Sequence, residues 1–290
     1  MKHNSRSRLM LISSMAIFGT LAPFVRNIGV SSAELSLFRA VLAAALIGLF
    51  LLVTGQKLPV RELKKELLLL MLSGTSMAIN WILLFEAYKY TTVAIATLSY
   101  YFAPVLVTVA SAFLFKEKLG KKQILCFIMS TVGLIIVTGI TELGSGSNNA
   151  MGIFFGLGAA VLYASCILLN KAIKGVGGIQ RTFLQFLAAI AVMVPYVAFS
   201  GGVSLEAMNT VGWVCLLVVG LIHTGITYCM YFTAVEKIPG QELAILSYID
   251  PLVAVIIGVA VLGEPLTLPQ MIGGAMILGF TLWNELSPRK

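Results

Sequence analysis

The sequence is dominated by apolar stretches of about 20 residues, the length at which an α-helix crosses the roughly 30 Å hydrocarbon core of a bilayer. Stretches such as VLAAALIGLFLLV (41–53) and VCLLVVGLI (214–222) do not alternate between apolar and polar residues, as the strands of a membrane β-barrel do. Only 11% of the 290 residues are charged, whereas soluble domains carry about 25%. The chain is therefore predicted to be an all-α membrane protein.

Hydropathy divides the chain into ten predicted transmembrane helices with short connections. A segment rich in Gly, Ser and Asn, residues 144–149, is typical of a turn or a flexible linker. It predicts a first five-helix unit over residues 1–143 and a second over residues 150–290. The ten predicted helices are Leu9–Ile28, Ala33–Val53, Glu66–Tyr88, Thr92–Phe115, Gln123–Ile140, Met151–Ile173, Thr182–Ser200, Val211–Val235, Gln241–Leu262 and Pro269–Leu286.

The basic residues indicate the orientation of these helices. With the N-terminus in the cytoplasm and ten crossings, 17 of the 20 Lys and Arg residues fall on the cytoplasmic side, while Arg26 and Lys89 stay outside and Arg39 lies within a span. Because Lys and Arg are enriched in cytoplasmic loops, both termini are predicted to be cytoplasmic. The net charge of +8 thus reflects membrane topology, and no nucleic-acid partner is expected.

The two halves of the chain repeat each other. FEAYKY (85–90) matches FTAVEK (232–237) at a shift of 147 residues, and a slightly smaller shift places Arg39 over Gln185. Since each half has five predicted helices, an odd number, the second half enters the membrane from the opposite side. Inverted repeats of this kind are typical of secondary transporters. The shift of 147 also pairs Tyr101 with Tyr248, Pro104 with Pro251, Glu117 with Glu264 and Gln123 with Gln270.

The repeated motifs give the chain a family resemblance. The first half contains SYYFAPV (99–105) and FKEKL (115–119), and the second contains SYIDPL (247–252) and LGEPLT (262–267). Together they resemble the EamA type of the drug/metabolite transporter superfamily over nearly the whole chain. The resemblance implies that helices 1–4 and 6–9 enclose a central cavity. It also implies export of amino acids, drugs or metabolites, although some relatives import sugars or choline-like compounds or exchange nucleotide-sugars.

Asp250 is the most informative ionisable residue within a predicted span, where charged groups are costly and mark functional sites. It precedes Pro251, which frees backbone carbonyls of the preceding turn, and its first-half counterpart is Ala103. A carboxylate at position 250 is therefore not inherited from the repeated sequence pattern. We expect Asp250 to bind a proton or a cationic substrate group, with the alternative that it only joins two helices by a hydrogen bond.

Three further ionisable residues are candidates. Glu86 either faces an outer vestibule as a second coupling residue or pairs with Lys89 at i+3. Arg39 can neutralise Glu86, Glu34 or a substrate carboxylate. His223 either takes up protons near neutral pH or packs as a hydrogen-bonded residue.

Aromatic and polar residues at helical spacing predict the lining of a binding site, because aromatic faces bound a cavity and stack on cations. Tyr101 and Tyr248 are equivalent under the repeat and lie beside the two prolines. The predicted substrate-binding residues are Asp250, Tyr101, Tyr248, Trp81, His223, Asn80, Tyr100 and Tyr228.

The sequence contains no GxxxxGK[ST], HExxH or Cys/His ligand set, so no enzyme, metal or cofactor is predicted. We expect a multi-pass secondary transporter of the bacterial cytoplasmic membrane that works by alternating access. It is expected to export an amino acid, an amphiphilic cation or a related metabolite in exchange for protons. The alternatives are an uptake permease for a sugar or quaternary amine, a passive channel, and a membrane-embedded lipid-processing enzyme. The expected partners are the small-molecule substrate and the lipid bilayer, and a homodimer is left open.

Overall fold

The computed structural model describes residues 2–114, 120–138, 148–204, 206, 208–235, 237–238 and 240–286. The regular secondary structure of these residues is helical, and turns and loops connect the helices. In the first half the helices are α1 (Lys2–Gly19), α2 (Leu21–Arg26), α3 (Ser32–Val53), α4 (Val60–Tyr90), α5 (Val93–Tyr100), α6 (Ala103–Leu114) and α7 (Lys121–Thr138).

The second half continues with helices of the same kind. They are α8 (Asn148–Ala172), α9 (Gly178–Phe199), α10 (Thr210–Leu217), a π-helical segment (Val218–Ile226), α11 (Thr227–Val235), α12 (Gly240–Ser247), α13 (Ile249–Ala260) and α14 (Leu268–Glu285). Of the predicted linker, residues 144–147 lie outside the described residues, and Asn148 and Asn149 begin α8.

The described part of the chain contains seven helical stretches that are long and apolar enough to cross a membrane, judged by length and composition. A shorter apolar helix, Ile245–Ala260, lies within one of the other predicted spans. The count of ten crossings and the cytoplasmic position of both termini stay predictions. The seven stretches are Ser5–Arg26, Ser32–Val53, Leu63–Tyr90, Val93–Leu114, Asn148–Ala172, Gly178–Phe199 and Thr210–Val235.

The outside of the helix bundle is apolar, and its inside contains polar groups. Large side chains such as Leu52, Phe113 and Phe199 are at least 80% exposed, whereas Ser14 and Thr224 are fully buried. Soluble proteins rarely expose apolar patches of this extent. The arrangement is that of a bundle whose outer face contacts lipid.

Helices α4 and α8 pack against each other in antiparallel orientation. At one end the carboxylate of Glu66, on α4, accepts hydrogen bonds from the backbone N–H groups of Lys174 and Gly175, which follow α8. At the other end Thr91, which follows α4, hydrogen-bonds Asn149 of α8 at 2.9 Å. These contacts define the two ends of the bundle, which we name the Glu66 end and the Thr91 end.

Two helices are interrupted at equivalent positions of the repeat. Tyr101 separates α5 from α6 with φ −70° and ψ 3°, and Tyr248 separates α12 from α13 with φ −75° and ψ −7°. Pro104 and Pro251 lie in the first turn of the helix that follows each break, where a missing N–H is tolerated. The two halves therefore share this local backbone conformation as well as its sequence.

Candidate functional site

A cavity of about 590 Å³ lies inside the bundle, within the range of small-molecule sites. Each of the predicted helices 1–4 and 6–9 contributes to its lining, whereas none of the described residues of α7 or α14 does. Seven of the predicted site residues line this cavity, namely Asn80, Trp81, Tyr100, Tyr101, Tyr228, Tyr248 and Asp250.

Asp250 lies in the first turn of α13, where the partial positive charge of the helix N-terminus favours a carboxylate. Its Oδ2 accepts a hydrogen bond of 2.7 Å from the hydroxyl of Tyr101, which belongs to the other half of the chain. The side chain is partly exposed, because it faces the cavity. Asp250 therefore both joins the two halves and presents a carboxylate to the cavity.

The walls of the cavity are aromatic. The rings of Tyr101 and Tyr248 lie 6.5 Å apart, and Tyr100 stacks on Tyr163 at 5.1 Å. Tyr228 packs edge-on against Phe18 at 5.3 Å. These rings supply apolar faces with hydroxyl groups at their tips, which suits a ligand that has both an apolar body and polar groups.

Arg39 is a second charged residue in the lining, and it is only 4% exposed. Its guanidinium carbon lies 4.3 Å from the ring centroid of Trp81, which is a cation–π contact. Its Nε donates a hydrogen bond of 2.6 Å to Thr224 Oγ1. Thr224 in turn donates to the carbonyl of Val219, five residues back, as the π-helical geometry of this segment allows.

Asn80 has a structural role in addition to its place in the lining. Its Nδ2 donates a hydrogen bond of 2.6 Å to the backbone carbonyl of Ala159, and the side chain is 2% exposed. Asn80 thus joins α4 to α8 beside the cavity.

His223 does not line the cavity. Its Nε2 lies 3.0 Å from Thr20 Oγ1, at the break between α1 and α2, and its ring packs 4.9 Å from that of Phe24. His223 belongs to the π-helical segment, in which the number of residues per turn differs from the 3.6 of an α-helix. The structure places it in helix packing, the alternative considered for it.

Glu86 also lies outside the cavity lining. Its Oε1 is 2.9 Å from Lys89 Nζ, one turn further along α4. Of the two expectations for Glu86, the structure shows the pair with Lys89, and both side chains are partly exposed. We therefore do not retain Glu86 as a coupling residue.

A cluster of amides and hydroxyls toward the Glu66 end of the cavity was not among the predicted residues. Gln185 Nε2 donates to Ser73 Oγ at 2.7 Å and to Asn170 Oδ1 at 2.6 Å. Asn170 and Gln185 both line the cavity. The repeat could have identified Gln185 as a cavity residue, since it is the second-half counterpart of Arg39.

The Thr91 end of the bundle is tied together by an ion pair. Arg26, the last residue of α2, pairs with Glu264 at 2.5 Å and donates to the carbonyls of Tyr88 and Thr91. The other carboxylate oxygen of Glu264 accepts from the backbone N–H of Val93, the first residue of α5, at 2.7 Å. We name these contacts the Arg26–Glu264 clasp.

The carboxylate of Glu264 occupies the N-terminus of α5, which belongs to the opposite half of the chain. Its first-half counterpart, Glu117, lies outside the described residues.

Gly19 allows α1 to pack closely against the backbone of α13. A Cβ at this position would lie 2.6 Å from the carbonyl oxygen of Asp250 and 2.7 Å from Val253 Cβ, so Gly19→Ala is expected to push α1 from α13 and to destabilise the fold by about 1–3 kcal/mol. Thermal unfolding in detergent measures this. Gly279→Ala is the control, because no atom lies within 4 Å of its Cβ position. Equal stability of the two variants would contradict the close-approach argument.

An apolar helical bundle around a cavity with buried charges is the architecture of a membrane transport protein. The EamA-like transporter family matches the chain twice, over residues 6–139 and 150–284. The chain therefore belongs to the EamA-like transporter family, as its motifs indicated.

Related proteins agree with this assignment. An uncharacterized transporter of Bacillus subtilis strain 168, YxxF, is 30% identical over 279 residues, which cover 95% of this chain and 88% of YxxF. An uncharacterized transporter of Archaeoglobus fulgidus is 29% identical over 279 residues, covering 95% of each chain. The family and these relatives identify a non-enzymatic, multi-pass transporter of the cell membrane.

A solved crystal structure shares the fold. Its chain is 20% identical in sequence, superimposes with a TM-score of 0.66, and matches over 95% of this chain and 96% of its own length. At this level of identity, the similarity concerns the fold alone.

Proposed function

We propose that the protein is a secondary active transporter that exports a small metabolite across the cytoplasmic membrane in exchange for protons. The observation that carries the proposal is the hydrogen bond between Tyr101 and Asp250 inside the cavity. It joins the two halves at the interruptions of their equivalent helices. A carboxylate at such a junction can exchange a proton or a cationic group as the halves move relative to each other.

The proposed topology has ten crossings with both termini in the cytoplasm. In this topology the Thr91 end faces the outside and the Glu66 end faces the cytoplasm. Transport proceeds by alternating access, in which the two halves expose the cavity to one side at a time. The Arg26–Glu264 clasp holds the outer end closed and must open before the cavity can release its substrate to the outside.

The substrate class follows from the size and chemistry of the cavity. About 590 Å³ accommodates a molecule of the size of an amino acid or a small amphiphilic cation. The aromatic walls suit an apolar body, and the Asp250 carboxylate suits a positive group. Charged groups in the lining bind the polar end of such a metabolite and fix its orientation.

Counterflow in proteoliposomes tests this function. Vesicles that contain the purified protein are loaded with a high concentration of an unlabelled candidate, either an amino acid, a quaternary amine or a sugar, and a trace of the labelled compound is added outside. A carrier is expected to accumulate the label transiently above its equilibrium level, because each turnover exchanges one molecule for another. A channel lets the label equilibrate without this overshoot, and that result would contradict the proposal.

The coupling ion is read in the same vesicles. An imposed proton gradient is expected to drive accumulation of the compound that shows counterflow, and a proton ionophore is expected to abolish it. Accumulation that does not respond to the proton gradient would contradict proton coupling, while the counterflow itself would still establish transport.

A further inference from the structure

The long apolar helix over Thr210–Val235 changes its geometry in the middle, where Val218–Ile226 is π-helical. Within this segment the hydroxyl of Thr224 donates to the carbonyl five residues back. In the α-helix that follows, the hydroxyl of Thr233 donates to the carbonyl four residues back. Because π-helical turns are rare and occur frequently at functional sites, the change points to a role that α-helical geometry does not serve.

One face of the π-helical segment packs against α3 through two glycines that are five residues apart. A Cβ on Gly220 would lie 2.7 Å from Leu42 Cβ, and a Cβ on Gly225 would lie 3.1 Å from Leu46 Cδ1. Positions five apart point about 140° away from each other around an α-helix, whereas five residues close one hydrogen-bonded turn of a π-helix. The π-helical geometry therefore lets both glycines face α3.

Two consecutive residues of the same segment contact two different parts of the first half. Thr224 Oγ1 accepts a hydrogen bond of 2.6 Å from Arg39 Nε, in the lining of the cavity. His223 Nε2 lies 3.0 Å from Thr20 Oγ1, at the break between α1 and α2. Helix α2 ends at Arg26, the basic residue of the Arg26–Glu264 clasp. The segment thus connects the cavity lining to the helix that carries the clasp.

We infer that the π-helical segment couples the cavity to the Arg26–Glu264 clasp, with Thr224 as a positioning residue for Arg39 and His223 as a positioning residue for the α1–α2 break. This inference rests on the proposed alternating access and adds the element through which the cavity acts on the outer end. A displacement of Arg39 displaces Thr224, and His223 transmits this movement to α2.

The segment has the property that such coupling requires, which is a choice between two arrangements that both sites can bias. Conversion of the π-helical turns to α-helix changes which residues face α3 and α2, because the number of residues per turn changes. The contacts of Thr224 with Arg39 and of His223 with Thr20 therefore belong to the π-helical arrangement. Both are present while the clasp is closed, so their loss is expected to favour the open clasp.

Labelling of a cysteine in the cavity tests the coupling without any substrate. Thr97 lines the cavity on α5. It is replaced by cysteine in a protein whose four native cysteines are alanine, and the reaction with a membrane-impermeant maleimide is timed from the outer side. Thr224→Val keeps the branched shape and removes the hydroxyl that Arg39 binds. It is expected to raise the labelling rate about tenfold, because a hydrogen bond to a charged group is lost.

Two further variants show whether the hydroxyl at position 224 is responsible. Thr224→Ser retains the hydroxyl and is expected to label near the wild-type rate. Thr233→Val removes a hydroxyl from the same long helix outside the π-helical segment and is also expected to label at the wild-type rate. Thermal unfolding shows whether each variant is folded. An equal increase in Thr224→Val and Thr233→Val would overturn the inference, because any lost hydroxyl in this helix would then loosen the outer end.

A double variant is the decisive measurement, because Thr20 and Thr224 bind different partners. Thr20→Val removes the partner of His223 and is expected to raise the labelling rate about threefold. If both hydroxyls act through one segment, the double variant labels about tenfold faster than the wild type, no faster than Thr224→Val alone. Independent effects multiply to about thirtyfold, and a local structural role of Thr224 leaves the labelling rate unchanged.

The outcomes separate this inference from the proposed function, since counterflow measures transport in a different experiment. Labelling at the wild-type rate in a folded Thr224→Val protein, or multiplied effects in the double variant, would overturn the inference and leave transport intact. Absence of counterflow for every compound would overturn the proposed function and the coupling that rests on it.

Discussion

Asp250→Asn is expected to abolish proton-driven transport, leaving less than about a hundredth of the wild-type rate, because the loss of a buried charge partner costs several kcal/mol. Asparagine has nearly the same shape as aspartate, and its carbonyl oxygen can still accept the hydrogen bond that Tyr101 donates. The packing of α13 is therefore retained, while the negative charge and the site for a proton are lost. Uptake driven by an imposed proton gradient in proteoliposomes measures the effect, and thermal unfolding verifies the fold.

Tyr101→Phe is the matched control for this prediction. It removes the hydrogen bond to Asp250 and leaves the carboxylate in the cavity. If the carboxylate is the coupling group, Tyr101→Phe retains proton-driven transport at a reduced rate. Proton-driven transport at the wild-type level in a folded Asp250→Asn protein would exclude Asp250 from coupling. It would leave the carboxylate with the structural role that its contact with Tyr101 already shows.

The helical segments were predictable because apolarity is a property of each residue and its near neighbours. All ten predicted segments contain helix in the structure, and the prolines at positions 104 and 251 marked the interruptions of two of them. An apolar segment that crosses the membrane forms a helix, because its backbone N–H and C=O groups find hydrogen-bond partners in hydrocarbon only within the helix itself. Helix positions could therefore be read from the sequence without knowledge of the contacts between helices.

The contacts of the site were less predictable, because they join residues that are far apart in the chain. Tyr101 and Asp250 are separated by 149 positions, and only the repeat placed them near each other. The partner of Glu264, Val93 at the start of α5, is not part of any sequence pattern. The contacts of His223 with Thr20 and Phe24 depend on a π-helical segment, and the change to π-helical geometry gives no clear signal in apolar sequence.

The charges of the cavity were recognised individually, whereas their combination required the structure. Asp250 stood out in the sequence because its repeat counterpart, Ala103, is neutral. Arg39 had three candidate partners, and the observed pairs of Glu34 and Glu86 with other groups removed two of them. Pair assignments of this kind depend on side-chain positions, which hydropathy and repeat symmetry do not specify.

Glu264→Gln is expected to open the Thr91 end of the cavity. The glutamine oxygen can still accept from the N–H of Val93, but the ion pair with Arg26 is lost. Because hydrogen bonds to charged groups contribute about 1.5–3 kcal/mol, the equilibrium between closed and open clasp is expected to shift about tenfold or more toward the open state. In the proposed topology, this exposes the cavity to the outside of the cell.

A cysteine at Thr97 reports the opening, since Thr97 lines the cavity on α5 and is 4% exposed. Thr97→Cys is introduced into a protein whose four native cysteines are replaced by alanine, and its reaction with a membrane-impermeant maleimide is timed from each side. Glu264→Gln is expected to raise the rate from the outer side about tenfold, in line with the shift of the clasp.

Lys89→Gln is the matched control, because it breaks the more exposed pair with Glu86 beside the same end of the bundle. Such pairs contribute about 0–1 kcal/mol, so this variant is expected to label at the wild-type rate. An equal increase in both variants would show that any lost charge loosens this end. No increase in a folded Glu264→Gln protein would show that the clasp does not hold the cavity closed, and the gate would then have to lie in the aromatic contacts of the cavity itself.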